Sequence, residues 1–290
     1  MKERKLNTDD GGLLALYSYG QEDAPGERRV VVVGGAFLTA LIYRPFSMAL
    51  AAELDKITGE GRGWAVDVYD RRGRGGSSEQ PDDYSMETEI SDLRLVLETT
   101  GARNIFGHSL GGAVALNAAQ RFAGTPLEPA RLAVYDAAVN LDGDMDVSWL
   151  PSFEKAVNDG DVRRALARLR KGMQPASTLS RVPEPILVGL MAVVSRTKVN
   201  KMFGQLMPSG VGELKAAIGV SNVVEDFAVL PKTTRFFVGA KSPSYYKVTA
   251  EKLHQSVHGS GLQVSPKGVH GSIPAAVKVL VSDIAKYFAA

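Results

Sequence analysis

Ser109 stands at the centre of Gly107-His108-Ser109-Leu110-Gly111, a G-x-S-x-G pattern set between an apolar run and a helix-forming one. A serine carried at a sharp strand-to-helix turn takes a strained backbone conformation, so its neighbours must be nearly free of side chain. Gly107 and Gly111 leave that room, and Gly112 lets the following helix pack close. The turn lifts the hydroxyl above a sheet edge. The helix N-terminus beneath it offers free N–H groups and a positive dipole end, both suited to a developing oxyanion. The chemistry this suggests is attack by an activated serine on a carbonyl.

Such a serine needs a base within hydrogen-bond reach and a carboxylate to hold that base in the right tautomer. The chain has only four histidines. His108 adjoins Ser109, and adjacent side chains at the turn diverge, so it reads as structural. His254 and His258 are four apart on an expected helix but have no carboxylate pattern near them, and they read as surface residues. His270, flanked by Gly268 and Gly271 between the last expected strand and helix, is the candidate base. The order Ser, acid, His asks for a carboxylate between the two. The loop Gly239-Ala240-Lys241-Ser242-Pro243 has none. Asp136, closing the run Arg131–Tyr135 beside the Ser109 strand, is favoured over Asp142, Glu225, Asp226 or no acid. The oxyanion donors are expected at the amide of Leu110 and at Ala36 or Phe37, where Gly34 and Gly35 let the backbone come close.

The elements that must carry these residues follow a β–α rhythm. Residues 3–7 and 13–19 read as short strands about a turn at Thr8–Gly12. Arg29–Val33 is an unbroken β-branched run, the mark of a strand buried on both faces. A helix is expected over 45–54, a strand over 64–69, a helix over 85–99, the strand into Phe106, and a helix from the Ser109 turn to Arg121. After the strand 131–135 the rhythm stops. Residues 140–229 are helical in flavour, with breaks at Pro151, Gly160, Pro175, Pro183, Pro185 and Pro208. Strands return at 234–238 and 261–265, with helices over 244–257 and 274–288. Strands alternating with helices predict an α/β fold: a mostly parallel central sheet with helices on both faces. Functional loops lie at the carboxyl ends of such strands. Gly34–Phe37, Asp70–Ser77, Ser109, Asp136 and His270 all fall there.

Bulk properties narrow the function. A chain of 290 residues suits one large α/β domain with an insertion, or at most two domains. Net charge is +2, and the basic clusters Arg71-Arg72-Gly73-Arg74 and Arg163-Arg164 lack interleaved aromatics, so no nucleic-acid partner is expected. With no cysteine there are no disulfides, thiolate metal sites or cysteine nucleophiles. No apolar run is long enough to span a bilayer, and the charged start Met1–Lys5 leads into no secretory signal, so a cytoplasmic protein without membrane association is expected. No metal and no cofactor are expected. Gly73-x-Gly75-x-x-Ser78 lacks the full dinucleotide fingerprint.

Taken together, these motifs resemble the α/β-hydrolase fold superfamily. Gly34-Gly35-Ala36-Phe37 stands where that family has a His-Gly oxyanion loop, with Gly34 in place of the histidine. Tyr69-Asp70-Arg71-Arg72-Gly73-Arg74-Gly75-Gly76-Ser77 is similar to its Tyr-Asp-x-Arg-Gly-x-Gly-x-Ser segment. Gly107–Gly112 is like its elbow, and Gly268-Val269-His270 like its terminal histidine loop. Some members carry the acid one strand early, as Tyr135-Asp136-Ala137 would. The resemblance implies a core of 1–139 and 230–290 and an inserted helical cap of 140–229. From that cap Met173, Leu187, Leu190, Met191, Val193, Val194, Met202, Phe203, Leu206 and Met207 are candidates to line an apolar pocket, with cap–core packing the competing use for most of them. The expected function is a serine hydrolase cleaving an ester, thioester or lactone of a small apolar molecule. The alternatives are a non-catalytic small-molecule receptor, an acyltransferase, and cofactor-free chemistry on an aromatic ring.

Overall fold

The computed structural model describes residues 1–59, 63–174, 177–194 and 198–290, without the side chains of 193, 194, 198–200 and 202. Its strands are β1 (Lys2–Asn7), β2 (Leu13–Gly20), β3 (Arg29–Val33), β4 (Ala65–Tyr69), β5 (Asn104–His108), β6 (Arg131–Tyr135), β7 (Arg235–Gly239) and β8 (Gly261–Ser265). The helices are α1 (Arg44–Thr58), α2 (Met86–Thr100), α3 (Leu110–Phe122), α4 (Leu150–Asn158), α5 (Val162–Met173), α6 (Glu184–Val194), α7 (Lys198–Ala217), α8 (Ser244–Ser256) and α9 (Lys278–Ala289). The strands form one sheet in the order β1-β2-β4-β3-β5-β6-β7-β8. β1, β2 and β4 pair antiparallel, and every pairing from β4 through β8 is parallel.

Side-chain alternation splits the core in two. Val30, Val32 and Phe106 point to the face covered by α1 and α9. Val31, Val33 and Ile105 point to the face covered by α2, α3 and α8. Burial on both faces explains why β3 is an uninterrupted valine run. Register then sets where chemistry can occur. Val33, Gly107, Val134, Phe236 and Leu262 lie side by side across five strands. The strands end almost together, and Ser109 and Asp136 follow at neighbouring ends.

Several boundaries differ from expectation, and α1 runs on to Thr58 rather than ending at Leu54. Pro208 does not break α7, which continues through it. Met207 and Glu213 on either side are buried, and tertiary packing outweighs the ~3 kcal/mol that an interior proline costs a helix. The last helix begins at Lys278 rather than Pro274, after a positive-φ turn at Ala276. α8 ends at Ser256, so His258 lies beyond it and shares no helical face with His254, whose Nδ1 meets Ser260 Oγ at 2.8 Å. Pro175 lies outside the described residues. Segment 140–229 carries α4 to α7. Among the described residues no helix is long and apolar enough to cross a membrane.

α3 crosses β3 and β5 very closely. A Cβ on Gly111 would sit 2.2 Å from the Val33 carbonyl oxygen and 2.5 Å from that of Gly34. These are backbone atoms that cannot rotate away. Gly111→Ala is therefore expected to destabilise by about 1–3 kcal/mol, read as a lowered urea midpoint at unchanged slope. An unaltered midpoint would show that α3 has room to shift.

Candidate active site

Ser109 has φ 56° and ψ −123°, a conformation that costs an L-residue about 1–3 kcal/mol. Surrounding hydrogen bonds hold it there. Its N–H donates to Tyr135 O at 3.0 Å, and its carbonyl accepts from Gly112 N at 2.9 Å and Ala138 N at 3.0 Å. The hydroxyl lies 3.0 Å from His270 Nε2. Phe37 and Asp136 also take positive φ, 58° and 47°, so backbone strain gathers around this serine.

His270 arrives on the loop after β8. Its backbone is fixed through Val269, whose carbonyl accepts from Tyr135 OH at 2.9 Å and whose N–H donates to Ser272 Oγ at 2.9 Å. The Nδ1 edge of the ring lies 3.2 Å from Asp136 Oδ2. Asp136 is fully buried and also accepts from Gly239 N at 3.0 Å and Ser242 Oγ at 2.5 Å. The 239–243 loop, without a carboxylate of its own, thus donates to the one on the neighbouring strand. Asp142 instead accepts from Val224 N at 3.3 Å, and Glu225 and Asp226 face solvent. The structure therefore brings Ser109, His270 and Asp136 together, and no other weighed acid joins them.

Tyr246, which the sequence did not single out, stacks on His270 with centroids 4.6 Å apart and planes at 10°. Its hydroxyl lies 3.2 Å from His270 Nε2, and burial raises its pKa so that it stays protonated. Two tyrosines opening α8 gave no signal of this use, because a pattern of types cannot show which ring meets a distant loop.

The Gly34–Phe37 loop lies directly against the serine. A Cβ on Gly35 would come 3.1 Å from Ser109 Cβ, and one on Gly34 would come 2.8 Å from the Tyr43 ring. A histidine at 34 has no space because Tyr43 fills it. Leu110 opens α3, where an N–H has no partner within the helix. Ala36, Phe37 and Leu110 line one cavity with Ser109 and His270.

His108 ties these parts together. Its Nε2 lies 3.0 Å from His270 O, a carbonyl that can only accept, so Nε2 carries the proton. Nδ1 must then accept, and it does so from Tyr43 OH at 2.7 Å. The same hydroxyl accepts from Gly35 N at 2.7 Å. One neutral imidazole thereby couples the Gly35 loop to the backbone of His270. Burial, aided by the nearby His270, lowers the His108 pKa to about 3.

The cavity has a volume of about 530 Å³ and is walled by Phe37, Leu166, Leu169, Met191, Phe203 and Leu214, among others. That size suits a small organic molecule. Of the residues expected to line it, Met173, Met191 and Phe203 do. Leu187, Leu206 and Met207 are instead buried in packing, and Leu190 is exposed. The side chains of Val193, Val194 and Met202 lie outside the described residues. Leu166 and Leu169 went unnoticed because the arginines of α5 make its sequence look solvated. Among the described residues no group of three His, Cys, Asp or Glu could hold a metal ion.

Two measurements follow from the imidazole coupling. An unfolded histidine binds a proton below pH ~6.5, while His108 stays neutral down to about 3, so stability is full above 6.5 and falls as pH drops between these values. His108→Gln should remove about 1.4 kcal/mol per pH unit from the acid-side slope of urea stability; an identical slope would mean His108 protonates freely. Tyr43→Phe leaves Gly35 N and His108 Nδ1 without a partner, and a loss of about 1–3 kcal/mol is expected in the same assay.

The chain also matches known proteins. No curated protein matches it. Solved structures do. An alpha/beta hydrolase from Sphaerobacter thermophilus DSM 20745 aligns with TM-score 0.70 at 22% identity, covering 98% of this chain and 100% of that one. An enol-lactonase from Burkholderia xenovorans LB400 aligns with TM-score 0.72 at 19% identity, over 99% and 100%. Epoxide Hydrolase A from Mycobacterium thermoresistibile aligns with TM-score 0.61 at 21% identity, over 99% and 97%. At such identities the likeness speaks for the fold alone, but the model of the Alpha/beta hydrolase family matches residues 30–264. The chain belongs to the alpha/beta hydrolase family.

Proposed function

We propose that this hydrolase is a serine enzyme that cleaves a carboxylic ester, thioester or lactone of a small apolar molecule through an acyl-enzyme. The observation that carries this reading is the hydrogen-bonded line from Ser109 Oγ to His270 Nε2 at 3.0 Å and from His270 Nδ1 to Asp136 Oδ2 at 3.2 Å. In the proposed reaction Ser109 Oγ bonds to the carbonyl carbon while its proton passes to His270 Nε2. Buried Asp136 accepts from Nδ1–H and stabilises the imidazolium. The stacked face of Tyr246 favours the same cation. The amides of Leu110 and of Ala36 or Phe37 receive the oxyanion. His270 then protonates the leaving alcohol or thiol and activates the water that releases the acid. In this reading 140–229 is the cap, and the walls supplied by α5, α6 and α7 select the apolar part of the substrate.

Lactone opening, as named for the Burkholderia xenovorans protein, fits a serine nucleophile. Epoxide opening, as named for the Mycobacterium thermoresistibile protein, is disfavoured here, because a serine rather than an aspartate stands at the elbow.

Ser109→Ala is expected to lower p-nitrophenyl butyrate turnover at least ~10³-fold at unchanged thermal midpoint. Asp136→Asn is expected to lower kcat by about 10⁴ through the wrong imidazole tautomer. Full turnover in the serine variant would end the proposal.

A further inference from the structure

Away from the reacting groups lies a closed set of buried charges that the proposed mechanism does not use. Arg71 and Arg74, on the loop after β4, are both buried, as are Glu89 of α2 and Glu213 of α7. Arg71 meets Glu89 at 3.1 Å through Nη1 and Glu213 at 3.2 Å through Nη2. Arg74 pairs with Glu213 through Nη2. Its Nη1 donates to two backbone carbonyls, Gly35 O at 3.0 Å and Leu38 O at 2.7 Å. Those carbonyls bracket Ala36 and Phe37. One guanidinium therefore holds the ends of the loop assigned to the oxyanion and is itself held by a carboxylate from the 140–229 segment.

α7 reaches the same loop a second way. The Phe203 ring stacks on Phe37 at 5.8 Å, and Gly210 abuts the Phe37 ring so closely that a Cβ there would lie 2.0 Å from Cε1. Phe203, Gly210 and Glu213 share a face of α7 at its helical spacing. Glu213 is the only carboxylate on that helix. Lifting α7 would take from two buried guanidiniums the carboxylate they share, and breaking a buried ion pair is costly.

We propose that Arg74 and Glu213 are positioning residues that couple the seating of α7 to the shape of the Gly35–Leu38 loop, so that the oxyanion donors are aligned only when the helical segment is docked. This rests on the hydrolase reading and adds a regulatory element to it: α7 acts on catalysis through the oxyanion loop as well as by walling the pocket.

The test is a set of variants in the full chain, Glu213→Gln, Arg74→Met, and Arg74→Met combined with Glu213→Leu. The readouts are thermal midpoint, kcat and KM for p-nitrophenyl butyrate, and hydrogen exchange of amides 36–39. Glu213→Gln should lower kcat about 10- to 100-fold with KM changed less than about threefold. The double variant removes one cation with one carboxylate and leaves Arg71 with Glu89, so its thermal midpoint should recover. Its kcat should stay low, because the Gly35 and Leu38 carbonyls still lack their donor. Return of kcat together with the midpoint would overturn the proposal and leave the pair a stabilising contact only. If the wild-type chain turns over no ester, the hydrolase reading fails by itself and exchange decides the coupling. Faster exchange at 36–39 in the variants supports it, and unchanged exchange overturns it.

Discussion

Everything at the site depends on how closely α3 crosses the strands beneath it. The crossing is possible only because Gly107 and Gly111 present no side chain where backbone carbonyls approach within van der Waals distance. It forces Ser109 to positive φ, and the turn is stabilised by four backbone hydrogen bonds around that one residue. In that conformation the hydroxyl lies 3.0 Å from His270 Nε2. The aligned ends of β5 and β6 make the next link, since they set Asp136 one strand over from Ser109. Strain at the serine, at Asp136 and at Phe37 is sustained together by the sheet and the two helical layers rather than by local preference.

Most of the scaffold, and the convergence of Ser109, Asp136 and His270, could be read from residue types. The valine run of β3, the strand–helix alternation and the glycines about Ser109 each have one local physical cause, and each local cause agrees with the fold. The place of Asp136 beside His270 was legible for a narrower reason: the neighbouring loop offered no carboxylate, and in the structure Gly239 N and Ser242 Oγ of that loop donate to Asp136. Tyr43, Tyr246 and Glu213 were not legible. Each acts through a contact far away in sequence, Tyr43 on His108, Tyr246 on His270 and Glu213 on Arg74. Periodicity says which face a residue occupies, not which partner it meets. Pro208 failed as a break for a related reason, since the burial of the turns flanking it is a tertiary effect.

The basic cluster after β4 is buried rather than displayed to solvent. Arg71, Arg72 and Arg74 are each paired with carboxylates. Arg72 meets Asp92 at 2.8 Å and anchors the loop to α2, while Arg74 turns toward the Gly35 loop. Burying this many charges is costly unless every partner is present. The partners come from three parts of the chain, so the loop is a point where core, helical segment and site are fixed against one another.

The most direct measurement is the site and stoichiometry of labelling by a fluorophosphonate, read by intact mass and peptide mapping. The hydrogen-bonded line from Asp136 through His270 to Ser109 predicts a single adduct, on Ser109, that largely disappears in His270→Ala. An unlabelled wild-type chain, or an adduct on some other residue, would contradict the claim that these three groups together make the serine a nucleophile.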